Sequence, residues 1–80
     1  METIRINIIE LKSGINKGYL ALYSMDNTIY IIDQNGNTVN SLFQDNKINA
    51  ILEVEQGIHE GCIMYRLNTG MIKFWKFSKN

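Results

Sequence analysis

Short stretches of alternating apolar and polar residues, punctuated by Asn, Asp and Gly, run the length of the chain. Ile4, Ile6 and Ile8 alternate with Thr3, Arg5 and Asn7, and a period of two predicts a half-buried strand over residues 3–11. At Ile8-Ile9 the apolar parity passes to Ile9 and Leu11, which predicts a bulge or a strong twist. Residues 12–18 read as a loop around Gly14 and Gly18, because glycine reaches positive φ at little cost. A second strand is predicted over 19–25 and a third over 28–33, joined by a two-residue turn at Asp26-Asn27. Asn35-Gly36 is the strongest hairpin signal in the chain, and 37–43 is expected to pair as a short fourth strand. Asp45-Asn46 ends it.

From Lys47 the pattern starts again. A shift of 43 residues lays Ile8-Ile9-Glu10-Leu11 on Ile51-Leu52-Glu53-Val54, and Gly14-Ile15 and Gly18 on Gly57-Ile58 and Gly61. The strand-turn-strand segment 19–32 then falls on 62–75, with Asn68-Thr69-Gly70 at the second turn. Six of the 25 aligned positions are identical, too few to establish a duplication by themselves. The shared Gly-Ile-x-x-Gly loop between strands of matching length is the stronger indication. The expectation is one domain, 1–80, with candidate repeat units 4–39 and 47–77.

Residues 41–56 admit a second reading. Ser41-Leu42-Phe43-Gln44 has the form of a capping box, and 50–54 could be helical. Leu42, Phe43, Ile48, Ile51 and Leu52 spread around a helical wheel, however, instead of forming one stripe. Ile48, Ala50, Leu52 and Val54 alternate with Asn49, Glu53 and Glu55, so a strand is preferred. The fold class expected is therefore all-β, a small antiparallel sandwich or barrel of six or seven strands, with α+β as the alternative.

Several strands are apolar on both faces. Leu20 and Leu22 oppose Tyr19, Ala21, Tyr23 and Met25; Ile29 and Ile31 oppose Tyr30 and Ile32. The second half repeats this with Ile63, Tyr65 and Leu67 against Cys62 and Met64, and Ile72 and Phe74 against Met71, Trp75 and Phe77. Strands of this kind are usually covered on both sides. A chain without a clear helix has little to cover a second face, which points to another protein surface, either a copy of itself or a partner.

Composition agrees with this picture and narrows it. Thirteen Ile, ten Asn, two Ala and no Pro favour strands over helices. Ile, Asn and Lys are what AT-rich codons encode, so a low-GC bacterium or one of its viruses is the expected source. Eight basic and eight acidic side chains leave no net charge, which argues against duplex DNA or an anionic membrane as partner. The longest apolar runs are too short to span a bilayer. The start Met1-Glu2-Thr3-Ile4-Arg5 lacks the features of a secretory leader, and a lone cysteine suits a reducing compartment, so a cytoplasmic setting is expected.

The residues that could carry chemistry are Glu53, Glu55, His59, Glu60 and Cys62. His59-x-x-Cys62 supplies ligand types suited to zinc, but a structural site needs four ligands and the chain has one His and one Cys. A Cys62–His59 nucleophile pair has no orienting group or oxyanion site around it. No phosphate-binding glycine loop occurs. No catalytic residue, metal or cofactor is expected.

The run Ile29-Tyr30-Ile31-Ile32-Asp33-Gln34-Asn35-Gly36-Asn37-Thr38-Val39 is similar to the outer hairpin of many β-propeller blades. The likeness covers about a dozen residues and is mostly generic hairpin chemistry. Two such units per chain would allow a ring closed by oligomerising, although the second unit lacks a fourth strand and no Trp-Asp pair is present. No family is assigned on this basis.

The function expected is that of a non-catalytic binding protein, a self-associating or partner-binding inhibitor or accessory factor. The residues expected to contact the partner are Tyr19, Tyr23, Tyr30, Tyr65 and Trp75, because Tyr and Trp dominate interface energetics. The alternative is single-stranded nucleic-acid binding through Tyr65, Lys73, Trp75 and Lys76, which combine stackable rings with lysines. An ordinary final strand with lysines guarding its edge explains the same residues.

Overall fold

A computed structural model describes residues 7–13 and 16–77. Its seven strands are β1 (Asn7–Glu10), β2 (Leu20–Tyr23), β3 (Thr28–Ile32), β4 (Thr38–Phe43), β5 (Ile48–Glu53), β6 (Ile63–Leu67) and β7 (Ile72–Trp75). They form two antiparallel meanders, a four-stranded sheet β1-β2-β3-β4 and a three-stranded sheet β5-β6-β7. The all-β class and the strand count agree with the sequence pattern. The segment weighed as a helix holds the end of β4 and the whole of β5, because its apolar residues alternate instead of lining one helical stripe. Predicted strand residues 3–6 lie outside the described residues.

Three of the five hairpins, β2–β3, β3–β4 and β6–β7, are tight and share one turn geometry. Each has a three-residue loop whose last residue takes positive φ: Asn27 at 63°, Gly36 at 88° and Gly70 at 91°. The amide of that residue donates to the carbonyl at the loop's start, as Gly36 does to Asp33 at 3.1 Å and Gly70 to Leu67 at 2.9 Å. This is a tight turn closed by a left-handed residue, which matches the twist of the flanking strands. Asp26-Asn27 is thus part of a three-residue loop and not a two-residue turn, because Asn27 supplies the left-handed step after Met25 and Asp26. The predicted irregularity at Ile8-Ile9 is not a bulge: β1 pairs with β2 without a break from Asn7↔Tyr23 to Glu10↔Leu20. Register shifts occur instead opposite Ile31–Ile32, where Val39 is the extra residue, and opposite Arg66–Leu67, where Asn49 is.

Adding 43 to each residue number converts the pairing of one sheet into that of the other. Asn7↔Tyr23, Ile8↔Leu22, Ile9↔Ala21 and Glu10↔Leu20 become Ala50↔Arg66, Ile51↔Tyr65, Leu52↔Met64 and Glu53↔Ile63. The four β2–β3 pairs likewise become the four β6–β7 pairs. The loop bonds follow the same rule: Gly18 N–H donates to Leu11 O at 2.8 Å, and Gly61 N–H to Val54 O at 2.8 Å. Among the described residues, sequence elements that share this loop signal therefore share the hydrogen bonds that close the loop.

In each sheet, the face carrying Ile9, Ala21, Ile29 and Ile31, or their counterparts Leu52, Met64, Ile72 and Phe74, is called the front. The face carrying Ile8, Leu20, Leu22 and Tyr30, or their counterparts Ile51, Ile63, Tyr65 and Lys73, is the rear. The core forms where the front of the first sheet meets the rear of the second. Leu11, Ala21, Ile29 and Ile31 pack there with Ile48, Ile51, Ile63, Tyr65, Leu67 and Phe77. Each fully buried Ile or Leu contributes about 1.5–3 kcal/mol through removal of apolar surface from water.

The left-handed turn positions supply a clean test. A Cβ added at Gly36 or Gly70 meets nothing within 4 Å, so substitution there acts through the backbone alone. Gly36→Ala and Gly70→Ala are each expected to destabilise the fold by about 1–2 kcal/mol. The urea midpoint should fall with an unchanged slope; an unaltered midpoint would show that the turn relaxes to another type.

Candidate functional site

Aromatic residues are divided unevenly between the core and the open faces. Tyr65 is buried, and Tyr19, Tyr23 and Trp75 are half-buried against the core. Burial raises the Tyr65 phenol above its ordinary pKa, since the phenolate would lose its hydration. The Trp75 ring packs against Phe77 with centroids 5.4 Å apart. Tyr23 crosses between the sheets: its hydroxyl donates to the Asn49 carbonyl at 2.7 Å. Asn49 is the extra residue of the β5 bulge, which leaves its carbonyl turned to a neighbour other than β6. Of the five tyrosine and tryptophan positions expected at an interface, four thus converge on the space between the sheets.

Tyr30 is the exception. It stands on the rear of the first sheet, in register with Leu22 and Ser41. Its hydroxyl donates to one Asp26 carboxylate oxygen, while the other accepts from Ser24 Oγ at 2.6 Å and the Thr28 amide at 3.1 Å. The Ser24 bond and then the Tyr30 bond hold the Asp26 carboxyl below its ordinary pKa, and the same Asp26 contact raises the Tyr30 phenol. Asp26 therefore ties the β2–β3 turn to the rear surface.

Of the residues considered for single-strand binding, Lys73 and Lys76 are exposed. Lys73 pairs across from Tyr65 on β6. The Tyr65 and Trp75 rings are engaged in packing the core, so they do not stand beside the lysines as a solvent-facing stack.

The candidate chemistry cluster also separates. Glu53 Oε1 accepts the Lys12 amide at 2.7 Å, and Oε2 accepts the Ser13 amide at 3.3 Å and Ser13 Oγ at 3.0 Å. This carboxylate holds the loop after β1 onto β5 and joins the sheets. The His59 ring stacks flat on Phe74, with centroids 3.9 Å apart and planes 12° from parallel. Cys62 is buried and free. Among the described residues no group of three or more His, Cys, Asp or Glu could hold a metal ion.

What remains exposed is aliphatic as much as aromatic. The front of the second sheet shows Leu52, Ile72 and Phe74, with Ile58 of the adjoining loop fully in solvent. A shallow depression on this face is lined by Ala50, Leu52, Met64, Arg66 and Ile72. The rear of the first sheet shows Ile8, Phe43 and the half-buried Leu20, Leu22, Tyr30 and Ile32. Sequence reasoning identified these strands as two-faced but favoured Tyr and Trp as contact residues. The signal for Ile8, Leu52 and Ile72 lay in the same alternation.

Two carboxylates give separable expectations. Glu53→Ala strands two backbone amides and a hydroxyl at the sheet junction and should cost about 1–3 kcal/mol in chemical denaturation. Asp26 acts with pH: its folded pKa is depressed, so its stabilisation is full above the ordinary 3.8 and is lost as pH falls through the lower folded value. Asp26→Asn should flatten the loss of stability below about pH 4; an equally steep acid limb would assign that loss to other groups. No protein-family model, curated protein or solved structure matches the chain, so its own geometry carries the functional reading.

Proposed function

We propose that this is a non-catalytic protein-binding module that works through the open apolar faces of its two sheets, with self-association as its first mode. The observation behind this reading is the exposure of large apolar side chains in register on one sheet face: Leu52 and Phe74 both pair with Met64 on β6. Contiguous apolar surface of this kind marks interaction sites more often than scattered exposed residues do. Neutral overall charge suits a protein surface better than a polyanion. Among the described residues no helix is long and apolar enough to cross a membrane. A small cytoplasmic inhibitor or accessory factor, of bacterial or viral origin, fits the size and composition.

The nucleic-acid reading rests on Lys73 and Lys76, since the rings expected to act with them, Tyr65 and Trp75, pack against the core. Titration of Trp75 fluorescence with single-stranded oligonucleotides at low salt separates the two. No quenching is expected, and saturable quenching would favour nucleic acid.

The protein-binding reading is checked by light scattering coupled to size exclusion, together with binding of a hydrophobic dye. Phe74→Glu should reduce association or dye binding by about tenfold or more while circular dichroism stays unchanged. Tyr23→Ala should instead cost stability and leave stoichiometry alone. A monomer that binds no dye would remove the reading.

A further inference from the structure

The two sheets are stacked in the same sense, front to rear, and not face to face. The 43-residue correspondence makes this visible in burial. On the front, Ile29 and Ile31 are 0% exposed in the first sheet, whereas their counterparts Ile72 and Phe74 are 54% and 43% exposed in the second. On the rear the order reverses: Ile8 is 56% exposed, and its counterpart Ile51 is 9%. Equivalent positions therefore differ in whether a neighbouring sheet lies against them and, for Ile72 and Phe74, in lying on the edge strand β7, which has no counterpart of β4 beside it. A front-to-rear stack has two unlike ends, and each end presents the type of face that the other end would cover.

From this we infer that the occupant of both open faces is a second copy of the same chain, bound head to tail. The front of the second sheet of one copy lies on the rear of the first sheet of the next. The inference rests on the protein-binding reading above and names its partner and geometry. The new contact continues the central part of the interface already formed inside the chain, where the counterparts are apolar; at its margins Tyr23, Leu67 and Phe77 are replaced by Arg66, Ser24 and Gln34. Leu52, Met64, Ile72 and Phe74 take the parts of Ile9, Ala21, Ile29 and Ile31. Ile8, Leu20, Leu22 and Ile32 take the parts of Ile51, Ile63, Tyr65 and Trp75.

A polar pair supports the same register. Within the chain, Glu53 on the rear of the second sheet accepts the amides of Lys12 and Ser13. Its counterpart on the rear of the first sheet is Glu10, which is exposed, and the counterparts of Lys12 and Ser13 are Glu55 and Gln56, also exposed. In a head-to-tail contact Glu10 of one copy faces the backbone amides of Glu55 and Gln56 of the other. The amide part of the clamp has its counterpart there, while the acidic Glu55 stands in the place of Lys12 and Gln56 in that of the Ser13 hydroxyl. Because such a contact is heterologous, it propagates until it closes as a ring or grows as a fibre.

Complementation of single-face variants tests the geometry. Phe74→Glu spoils the front of the second sheet and Ile8→Glu the rear of the first; both side chains are exposed, so each variant should fold, as circular dichroism and urea unfolding will show. Wild type is expected to form concentration-dependent oligomers, and each variant alone to be monomeric by sedimentation or light scattering. Mixed in equal amounts, the variants should form a dimer that goes no further, since each retains the face the other lacks. Glu10→Gln should weaken wild-type association by about tenfold or more, as expected for losing a charged hydrogen-bond acceptor. Should either glutamate variant fail to fold, Ile72→Glu and Glu10→Lys replace them on the same faces.

A mixture that stays monomeric overturns the inference. So does an Ile8→Glu protein that still dimerises alone, which would indicate a front-to-front contact. A wild-type monomer that nevertheless binds hydrophobic dye on the Phe74 face overturns head-to-tail assembly while leaving the protein-binding reading in place. A monomer that binds no dye overturns both.

Discussion

The structure depends on how apolar side chains on both sides of its sheets are removed from water. Two sheets have four faces, and one stacking contact covers two of them. The front of the first sheet and the rear of the second meet, and there Ile29, Ile31 and Ile63 are completely buried. At about 25 cal/mol per Å² of apolar surface, this layer is the main favourable term available to so short a chain. The other two faces carry residues of the same kind and stay open. The buried core and the open faces have one origin: strands apolar on both sides, with too few layers in one chain to cover them all.

Polar contacts set the registry of that stack more than they add to its strength. Glu53 holds the loop after β1 by two backbone amides and a hydroxyl, and Tyr23 reaches the carbonyl released by the Asn49 bulge. Apolar packing is indifferent to small slides between two layers, whereas hydrogen bonds with defined partners are not. The bulge at Asn49 is thus useful where it lies. Asp26 plays a comparable part locally, fastening the β2–β3 turn to Tyr30.

Much of the fold was legible from alternation and turn residues. Ile48, Ala50, Leu52 and Val54 marked β5 as a strand, and Asn35-Gly36 marked the β3–β4 hairpin. The 43-residue offset anticipated the pairing register of the second sheet residue for residue. Turn length was less legible at Asp26-Asn27, because Asn27 announces a left-handed residue without saying how many residues precede it. The bulges opposite Ile32 and Leu67 were not legible, since an extra residue in one strand is defined by its partner strand. Four of the five aromatics expected at an interface pack against the core, while Leu52, Ile72 and Phe74 stand open.

Period-two alternation determines which side chains share a face, and the sequence alone therefore indicated the strands and the two-faced sheets and suggested the correspondence between halves. It does not determine which face is covered, because Ile29 and Ile72, or Ile8 and Ile51, are identical residues in equivalent settings. Their burial differs because Ile29 and Ile51 lie at the joint between the sheets, whereas Ile8 and Ile72 lie at an end of the stack and Ile72 is on the edge strand β7 besides. That choice belongs to the tertiary structure, where the direction of stacking selects one front and one rear for the core and leaves their counterparts exposed.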